Sequence, residues 1–572
     1  MTVGHIWTGA AIVALVVGIT FGTGPAQAQS TAADIVPDNI QPQNQRPVPS
    51  VTVARDPGVE PPPGSENLFV RVGTVRIEGA LPQMADANEA FKARLEGRRV
   101  AVSELFRATG DLELAYADAG LVLSRVILPQ QQVVDGGTLR VVVIDGFIQD
   151  IDASAVPAPV HKRIVDLTNP LIGKRGLTRG ELERALLLAG DTYGIALGST
   201  LTTGSVQGGV IMVLDARFKP WSATVGFDNA VEDDLGPLSF NAGVEINSAL
   251  GLGETFYGRI GGTPKSLFGT DPQNRVLALG GVIPIGLSGL TFNLEGTSSR
   301  TRPENVLVPT NSAYDRLSAR LYYPWVRSRS FNLSSQFILD RTSDEQNLLV
   351  LGNEVPIYQD ELSVLRATLV ANRTFDNGSI ANAEAVFSRG IDAFGARRAG
   401  GGGTPLSRAG ADSVFSKFVL GAGYAKPFEN GVNLSVNARL QTGFGNPLLV
   451  SEQFNATGAQ ELSSFSSGAI KGDSGWVARG EVSKQYPVSV QGLDIVLNPY
   501  MFAAYGVVTL ENPSIVEQST VKASSFGIGT EMFTSEDSPF RAGTIRLEYG
   551  YGRRDDRLPN GSRFNIMAMR RF

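Results

Sequence analysis

From Lys219 to the C-terminus the chain repeats one pattern. Segments of roughly ten residues alternate apolar and polar side chains and end at Gly, Asn, Asp or Pro turns. Sixteen such segments begin near Ser222, Leu238, Gly253, Arg275, Leu290, Ala313, Phe331, Tyr358, Ser379, Val414, Val432, Gly475, Leu493, Val521, Gly543 and Arg563. An even strand number, period-two alternation and bilayer-crossing spans are typical of outer-membrane barrels, whose closure leaves no open edge in lipid. Residues 219–572 are therefore predicted to form a 16-stranded transmembrane β-barrel.

The last segment, RFNIMAMRRF, ends the chain on an aromatic residue. It places Phe564, Ile566, Ala568 and Phe572 on one face of a strand. We interpret Phe572 as the C-terminal signal of the barrel. The alternative is a soluble multidomain β adhesin whose strands do not close, and detergent dependence would separate the two.

Two smaller α/β modules precede the barrel, over residues 67–147 and 148–218. In the first, FVRVGTVRIEG alternates like a strand, ADANEAFKARLEG and SELFRATGDLELAYADAG have helical spacing, and LSRVILP and LRVVVIDGFI return to strands. The second repeats the order β-α-α-β-β more loosely, with Thr178 as the predicted N-cap of a helix. Two tandem modules of one type indicate a scaffold for recognition.

The N-terminus reads as a targeting segment followed by a linker. WTGAAIVALVVGITFG is an apolar run of signal-peptide length, and Ala26-Gln27-Ala28 fits the small-x-small cleavage rule. We therefore predict a signal peptide over residues 1–28. Residues 29–66 contain eight prolines and almost no periodic apolar positions, which predicts an extended periplasmic linker.

The composition excludes several classes of function. There is no cysteine and there are only two histidines, which excludes a thiol nucleophile, a disulfide framework and a Cys/His metal site. The 50 Lys and Arg residues against 56 Asp and Glu form no basic run, so no nucleic-acid partner is expected. We expect no enzyme activity, no cofactor and no metal.

One stretch inside the barrel region does not alternate. TGAQELSSFSSGAIKGDSGW, from Thr457 to Trp476, is polar and too long for a hairpin turn. Long loops without secondary structure are uncommon in compact domains and are usually functional or disordered. A long loop near residues 445–475 is therefore a candidate functional element.

The order of signal, proline-rich linker, two α/β modules and 16-stranded barrel resembles the outer-membrane transporters of two-partner secretion (TpsB proteins, FhaC/ShlB type). The likeness covers nearly the whole chain. It implies that the modules are periplasmic POTRA domains and that the barrel passes a large unfolded exoprotein, an adhesin or a cytolysin, to the cell surface. It further implies the outer membrane of a Gram-negative bacterium, contact with its lipid, help from the barrel assembly machinery during biogenesis, and a monomer.

The first module carries the most specific match to this family. LAYADAGLVLSRVILPQQQVVDGGTLRVVVIDG is similar to its Tyr-x-x-x-Gly…lPxQ…G…vieG pattern. The matching residues are Tyr116, Gly120, Arg125, Pro129, Gln130, Gly136, Gly137 and Gly146, with Asp145 where the family usually has Glu. We interpret these positions as turn and core architecture.

The resemblance also assigns the long loop. In the family this sixth extracellular loop folds into the barrel lumen, carries Val-Arg-Gly-Tyr at its tip and leads into a Gly-Asp-x-Gly-Trp element. The matching residues here are Gly472, Asp473, Gly475 and Trp476, and the tip is Leu462, Ser463, Ser464 and Phe465. Ser463 thus replaces the arginine, and Ala504 stands where the family's lumenal-wall aspartate is expected.

Losing both members of a buried ion pair can be nearly neutral, whereas losing one costs about 3–5 kcal/mol. We therefore expect a variant contact, held by Phe465 packing and by hydrogen bonds. Asp473 is expected either to bond to a lumenal Arg or Ser group or to cap its turn. Family members often begin with a plug helix, but residues 29–66 offer no convincing counterpart, so the inserted loop is the expected gate. The alternative functions are a BamA-like insertase and a porin-like channel.

Overall fold

The computed structural model describes residues 30–36, 40–42, 51–53, 61–490, 493–534 and 542–572. The predicted signal peptide lies outside these residues. The chain divides into two compact units, one spanning Arg46–Phe218 and one combining Met1–Gln45 with Lys219–Phe572. Within the described ranges, no helix is both long enough and apolar enough to span a membrane.

The first unit contains two α/β modules. The first module comprises β2 (Phe69–Glu78), α1 (Ala85–Leu95), β3 (Arg99–Ala101), α2 (Val102–Asp118), β4 (Arg125–Ile127) and β5 (Gly137–Ile144). Its sheet has the order β3-β2-β5-β4, with β2 and β5 parallel. Helix α2 buries Leu105, Ala108, Leu112 and Tyr116, three or four residues apart, and so presents one apolar face to the sheet.

The second module has the same topology. It comprises β6 (Phe147–Ala155), α3 (Ala158–Thr168), α4 (Arg179–Gly190), β7 (Ile195–Thr203) and β8 (Gly209–Phe218). As in the first module, the first and last strands of the module, here β6 and β8, pair in parallel, and the strand before the last, β7, is antiparallel to β8. The predicted N-cap is observed: the Thr178 hydroxyl accepts a hydrogen bond from the Glu181 amide, and the Glu181 carboxylate accepts one from the Thr178 amide.

The chain upstream of the first module adds a strand to the second. β1 (Val51–Val53) pairs in parallel with Ser199–Leu201 of β7. The sequence predicts an extended linker over residues 29–66; residues 51–53 are extended, and their pairing with a sheet edge is the feature that the sequence does not predict. The alternating Val-Thr-Val is too short to register as a strand by periodicity alone, and an existing sheet edge supplies its hydrogen-bonding partner.

The second unit is a closed barrel. Its strands and the hairpin within it are β9 (Trp221–Asp228), β10 (Ser239–Asn247), β11 (Thr255–Gly262), β12 (Asn274–Ile285), β13 (Leu290–Thr301), β14 (Thr310–Arg327), β15 (Phe331–Val350), β16 (Asn353–Thr374), β17 (Ile380–Gly390), β18 (Ser416–Pro427), β19 (Val432–Thr442), β20 (Phe454–Asn455), β21 (Lys471–Gly472), β22 (Ser474–Lys484), β23 (Tyr486–Val490), β24 (Leu493–Thr509), β25 (Thr520–Thr534), β26 (Ala542–Arg554) and β27 (Gly561–Arg571). β20 and β21 pair only with each other, and β22 and β23 are successive parts of one strand because both pair with β24. The barrel therefore has sixteen strands, as predicted, and closes where β27 pairs with β9.

The strand faces alternate as a membrane barrel requires. On β13, Asn293, Glu295, Thr297 and Ser299 are buried toward the lumen, whereas Leu294 between them faces outward and is exposed. The largest displacement of a predicted strand start is at β16, which begins at Asn353, five residues before the expected Tyr358. The intervening residues begin with two polar side chains, Asn353 and Glu354, and include a proline, a combination more typical of a loop than of a strand. They extend the hairpin with β15 beyond the apolar part of the wall.

Candidate functional site

The long loop lies inside the barrel. We call residues 443–473 the inserted loop; the hairpin β20–β21 lies within it. One buried apolar cluster joins loop and wall and comprises Phe454, Ala456, Leu462, Ile470, Val477, Ala504, Val508, Val521 and Ala523. Ala504, which stands where the family's wall aspartate is expected, thus belongs to this apolar cluster. Because the loop is buried, its polar groups need partners within the lumen.

The predicted loop tip contacts four different wall strands, three of them through hydrogen bonds. The Ser463 hydroxyl lies 2.6 Å from Nη1 of Arg479, and its carbonyl accepts a hydrogen bond from the Asn565 amide at 2.7 Å. The hydroxyls of Ser464 and Ser525 are 2.6 Å apart. Phe465 packs against the wall at Gly552, where an added Cβ would come within 2.5 Å of its ring.

The wall supplies the arginine that the tip lacks. Arg479 of β22 is fully buried and donates to Glu548 at 2.6 Å and to Glu481 at 2.7 Å, and its guanidinium lies 3.7 Å from the centre of the Phe502 ring. It pairs in register with Ala504 on β24. Arg479 is not among the site residues predicted from the sequence. Its signal was a charged side chain at a lumen-facing position of a strand, which period-two alternation can reveal.

Asp473, at the base of the inserted loop, ties three extracellular loops together. Its carboxylate accepts two hydrogen bonds from Arg408 at 2.8 and 3.0 Å, one from the Gln453 side chain at 2.8 Å, and backbone ones from Leu448 at 2.9 Å and Glu511 at 2.7 Å. Arg408 belongs to the loop between β17 and β18, and Glu511 to the loop between β24 and β25. Of the two expected roles for Asp473, the structure shows the bond to an arginine.

The rest of the Gly-Asp-x-Gly-Trp element serves packing. An added Cβ at Gly472 or Gly475 would lie 2.6 Å from a backbone oxygen of β24, so both positions need glycine for close strand approach. Trp476 points the other way: it faces outward and lies 5.7 Å from the Tyr505 ring. The element therefore joins a lumenal anchor to an outward aromatic contact.

Glu452 forms a second charged anchor for the loop. It accepts from Arg366 at 2.6 Å and from Lys417 at 2.8 Å, and Arg366 also bonds to Asp340 at 2.8 Å. All four side chains lie in the barrel interior and pair with one another, which offsets part of their desolvation.

The N-terminal segment also enters the lumen, which corrects the linker prediction. We call residues 30–36 and 40–42 the lumenal segment. Asp34 forms a buried ion pair with Lys471 of the inserted loop. The Ala32 amide donates to the Ser312 hydroxyl at 3.0 Å, and the Ser299 hydroxyl donates to the Ala32 carbonyl at 2.7 Å. The segment forms turns, without helical periodicity, so sequence pattern alone does not reveal it.

The predicted POTRA motif residues hold the first module together. Tyr116 is buried and donates to Asn88 at 3.1 Å, and Arg125 pairs with Glu113 at 3.0 Å. Gly120 and Gly136 have φ of 89° and 79°, which favours glycine, and a Cβ at Gly146 would lie 2.0 Å from a backbone oxygen. Pro129 and Gln130 lie between β4 and β5, with Gln130 exposed, and Gly137 is the first residue of β5.

The C-terminal residue closes the barrel. The Phe572 amide donates to the Ala223 carbonyl at 2.8 Å, and the Ala223 amide donates to the Phe572 carbonyl at 3.2 Å.

Among the residues that the structure describes, no group of three or more His, Asp or Glu side chains is placed to hold a metal ion.

Comparison with known proteins identifies the family. A family model described as haemolysin secretion/activation protein ShlB/FhaC/HecB matches residues 208–532, and a ShlB-type POTRA model matches residues 71–146. The outer membrane transporter CdiB of Escherichia coli is 22% identical over 433 residues, which cover 75% of this chain and 71% of that protein.

Solved structures show the same fold. CdiB from Escherichia coli superposes with a TM-score of 0.68 at 19% identity, covering 89% of this chain and 92% of that one. CdiB from Acinetobacter baumannii gives 0.60 at 15% identity, covering 96% and 95%. The chain belongs to the ShlB/FhaC/HecB family, and is an outer-membrane transporter of two-partner secretion with a periplasmic POTRA domain.

Proposed function

We propose that this transporter exports one extended exoprotein through its barrel and that the inserted loop and the lumenal segment move together to open the path. The observation that carries the proposal is the buried ion pair between Lys471 and Asp34, because it joins the two elements that occupy the lumen. The second α/β module is a second POTRA domain, an assignment supported by the topology it shares with the first.

Recognition uses sheet edges of the two modules. An added strand gains main-chain hydrogen bonds with little demand on side-chain sequence, which suits an unfolded cargo. The β7 edge accepts a parallel strand from the chain's own residues 51–53. An extended cargo segment fits the same geometry.

Opening of the lumen requires both polar and apolar contacts of the inserted loop to break. Within the loop tip, Ser463 and Ser464 are held by hydrogen bonds, while Leu462 belongs to the apolar cluster and Phe465 packs against it. Hydrogen bonds exchange with water at a net cost of roughly 0.5–1.5 kcal/mol each. A hydrated lumen therefore lets the tip detach stepwise, while folding of the cargo outside the cell gives export its direction.

The test is secretion of a co-expressed candidate exoprotein in cells with and without this chain. Export only in its presence supports the proposal, and a variant lacking residues 30–42 should raise the single-channel conductance of the purified protein. If cargo accumulates in the periplasm in both strains while other outer-membrane proteins assemble poorly without the chain, an insertase function replaces it.

A further inference from the structure

The outer wall of the barrel carries a cavity that export through the lumen does not use. Its volume is about 580 Å³, within the usual range of small-ligand sites. It spreads over five neighbouring strands, β12 to β16. Most of its lining side chains face outward, because they alternate along each strand with buried lumenal residues such as Thr297 and Ser318.

The strand register orders the lining into two rows. The lower row runs Leu279, Gly296, Leu317, Arg341, each paired with the next across neighbouring strands. The upper row, two residues closer to the extracellular side, runs Leu277, Ser298, Asp315, Ser343, Glu361. The lower row is mainly apolar and the upper row mainly polar, so the cavity is amphipathic along the direction normal to the membrane.

Gly296 lies at the floor of the cavity. A Cβ at this position would meet no atom within 4 Å, so the missing side chain leaves open space on the outer surface. The two leucines beside it are exposed, Leu279 by 73% and Leu317 by 53%. Together they form a trough with apolar walls and a backbone floor.

The cavity lies where the wall changes from lipid-facing to water-facing. Toward the periplasm, the outward residues of β15 are apolar, including Phe337 and Leu339; toward the outside they are Arg341, Ser343 and Glu345. Such a change marks the outer edge of the apolar band of a membrane barrel. A trough below this edge is surrounded by acyl chains, and the groups above it are at the level of lipid head groups.

The rim offers hydrogen-bonding groups but no net charge. Arg341 pairs with Glu361 and also donates to the Gly395 carbonyl at 3.2 Å. Asp315 accepts from Arg300 at 2.9 and 3.1 Å. Paired charges of this kind suit a head group with both donors and acceptors.

We propose that this cavity is a specific lipid site. One acyl chain of an outer-leaflet lipid lies over Gly296 between Leu279 and Leu317, and the head group bonds to the upper row near Ser343 and Asp315. A phospholipid and the lipid A part of lipopolysaccharide share this chemistry, and the experiment separates them.

The experiment is native mass spectrometry of the full-length protein after delipidation. The delipidated protein is titrated with palmitoyl-oleoyl-phosphatidylethanolamine in one arm and with hexa-acyl lipid A in the other. The variant Gly296→Leu fills the trough. The control Gly480→Leu places the same side chain on the outer face of β22, where an added Cβ also meets no atom within 4 Å.

The wild type and Gly480→Leu should each retain one lipid molecule in at least one arm, and Gly296→Leu should lose it. The arm that shows retention identifies the lipid. If Gly296→Leu does not fold, Leu279→Ser, which removes an exposed wall of the trough, should give the same loss. Equal retention by wild type and the trough variants, or no retention by the wild type in either arm, would overturn the proposal.

Discussion

Removing the Asp473 carboxylate should release the extracellular loops that it joins. Asp473 is fully buried and the side chain of its partner Arg408 is only 4% exposed. In Asp473→Ala the guanidinium stays buried with one remaining acceptor, the Glu511 carbonyl at 2.9 Å. Stranding one member of a buried ion pair costs about 3–5 kcal/mol. Local opening should therefore become about 10²- to 10⁴-fold more frequent.

The assay is hydrogen exchange of the backbone amides of Leu448 and Glu511, both of which donate to Asp473. The matched variant Arg408→Met tests the direction of the argument. It leaves the carboxylate with three donors, so its effect on exchange should be clearly smaller than that of Asp473→Ala.

The control Asp111→Ala breaks an exposed ion pair with Arg94 in the first module. Surface pairs contribute roughly 0–1 kcal/mol, so loop exchange should not change. Unchanged exchange in Asp473→Ala, or a larger effect in Arg408→Met, would refute the reasoning.

Three further predictions follow from other parts of the chain. Arg479→Gln removes the charged donor to the loop tip and leaves Arg546 as the arginine that bonds Glu481 and Glu548, so single-channel conductance should rise; unchanged conductance would count against the tip contact. The hydrogen bond from Lys174 lowers the pKa of Glu181. Helix α4 should therefore keep its full stability above about pH 4.5 and lose part of it as the pH falls through the lowered pKa, which hydrogen exchange of the helix amides measures. Equal protection of the helix at pH 3 and pH 7 would contradict this prediction. Gly146→Ala should destabilise the first module by about 1–3 kcal/mol in denaturant unfolding, because the added Cβ meets backbone atoms. In the control Gly180→Ala in α4, the added Cβ meets no atom within 4 Å, so the second module should not be destabilised. Equal effects of the two substitutions would contradict the packing argument.

The strands of the barrel could be predicted because their physics is local. Each strand must present one face to lipid and the other to the lumen, so apolar and polar residues alternate with a period of two along every segment. The helices of the modules follow the same logic at period 3.6, as the buried face of α2 shows. The first residues of β16 could not be predicted as a strand, because beyond the membrane neither face of a strand has to be apolar.

The contents of the lumen could not be predicted in the same way. Asp34 and Lys471 are more than four hundred positions apart, and no periodicity connects them. Their pairing depends on three-dimensional closure of the barrel. Arg479 illustrates an intermediate case: alternation predicts that it faces the lumen, but its partners on β26 and in the loop are visible only in the structure.

Export by the proposed route requires the tip of the inserted loop to leave the barrel wall. The natural chain has no cysteine, and the hydroxyl oxygens of Ser464 and Ser525 are 2.6 Å apart, so the double variant Ser464→Cys, Ser525→Cys can link tip and wall by one disulfide. We would measure secretion of the exoprotein by this variant with and without reductant, with each single variant as control. We expect export to stop in the oxidised double variant and to return on reduction; export at the wild-type level by the oxidised protein would contradict the proposed movement of the loop.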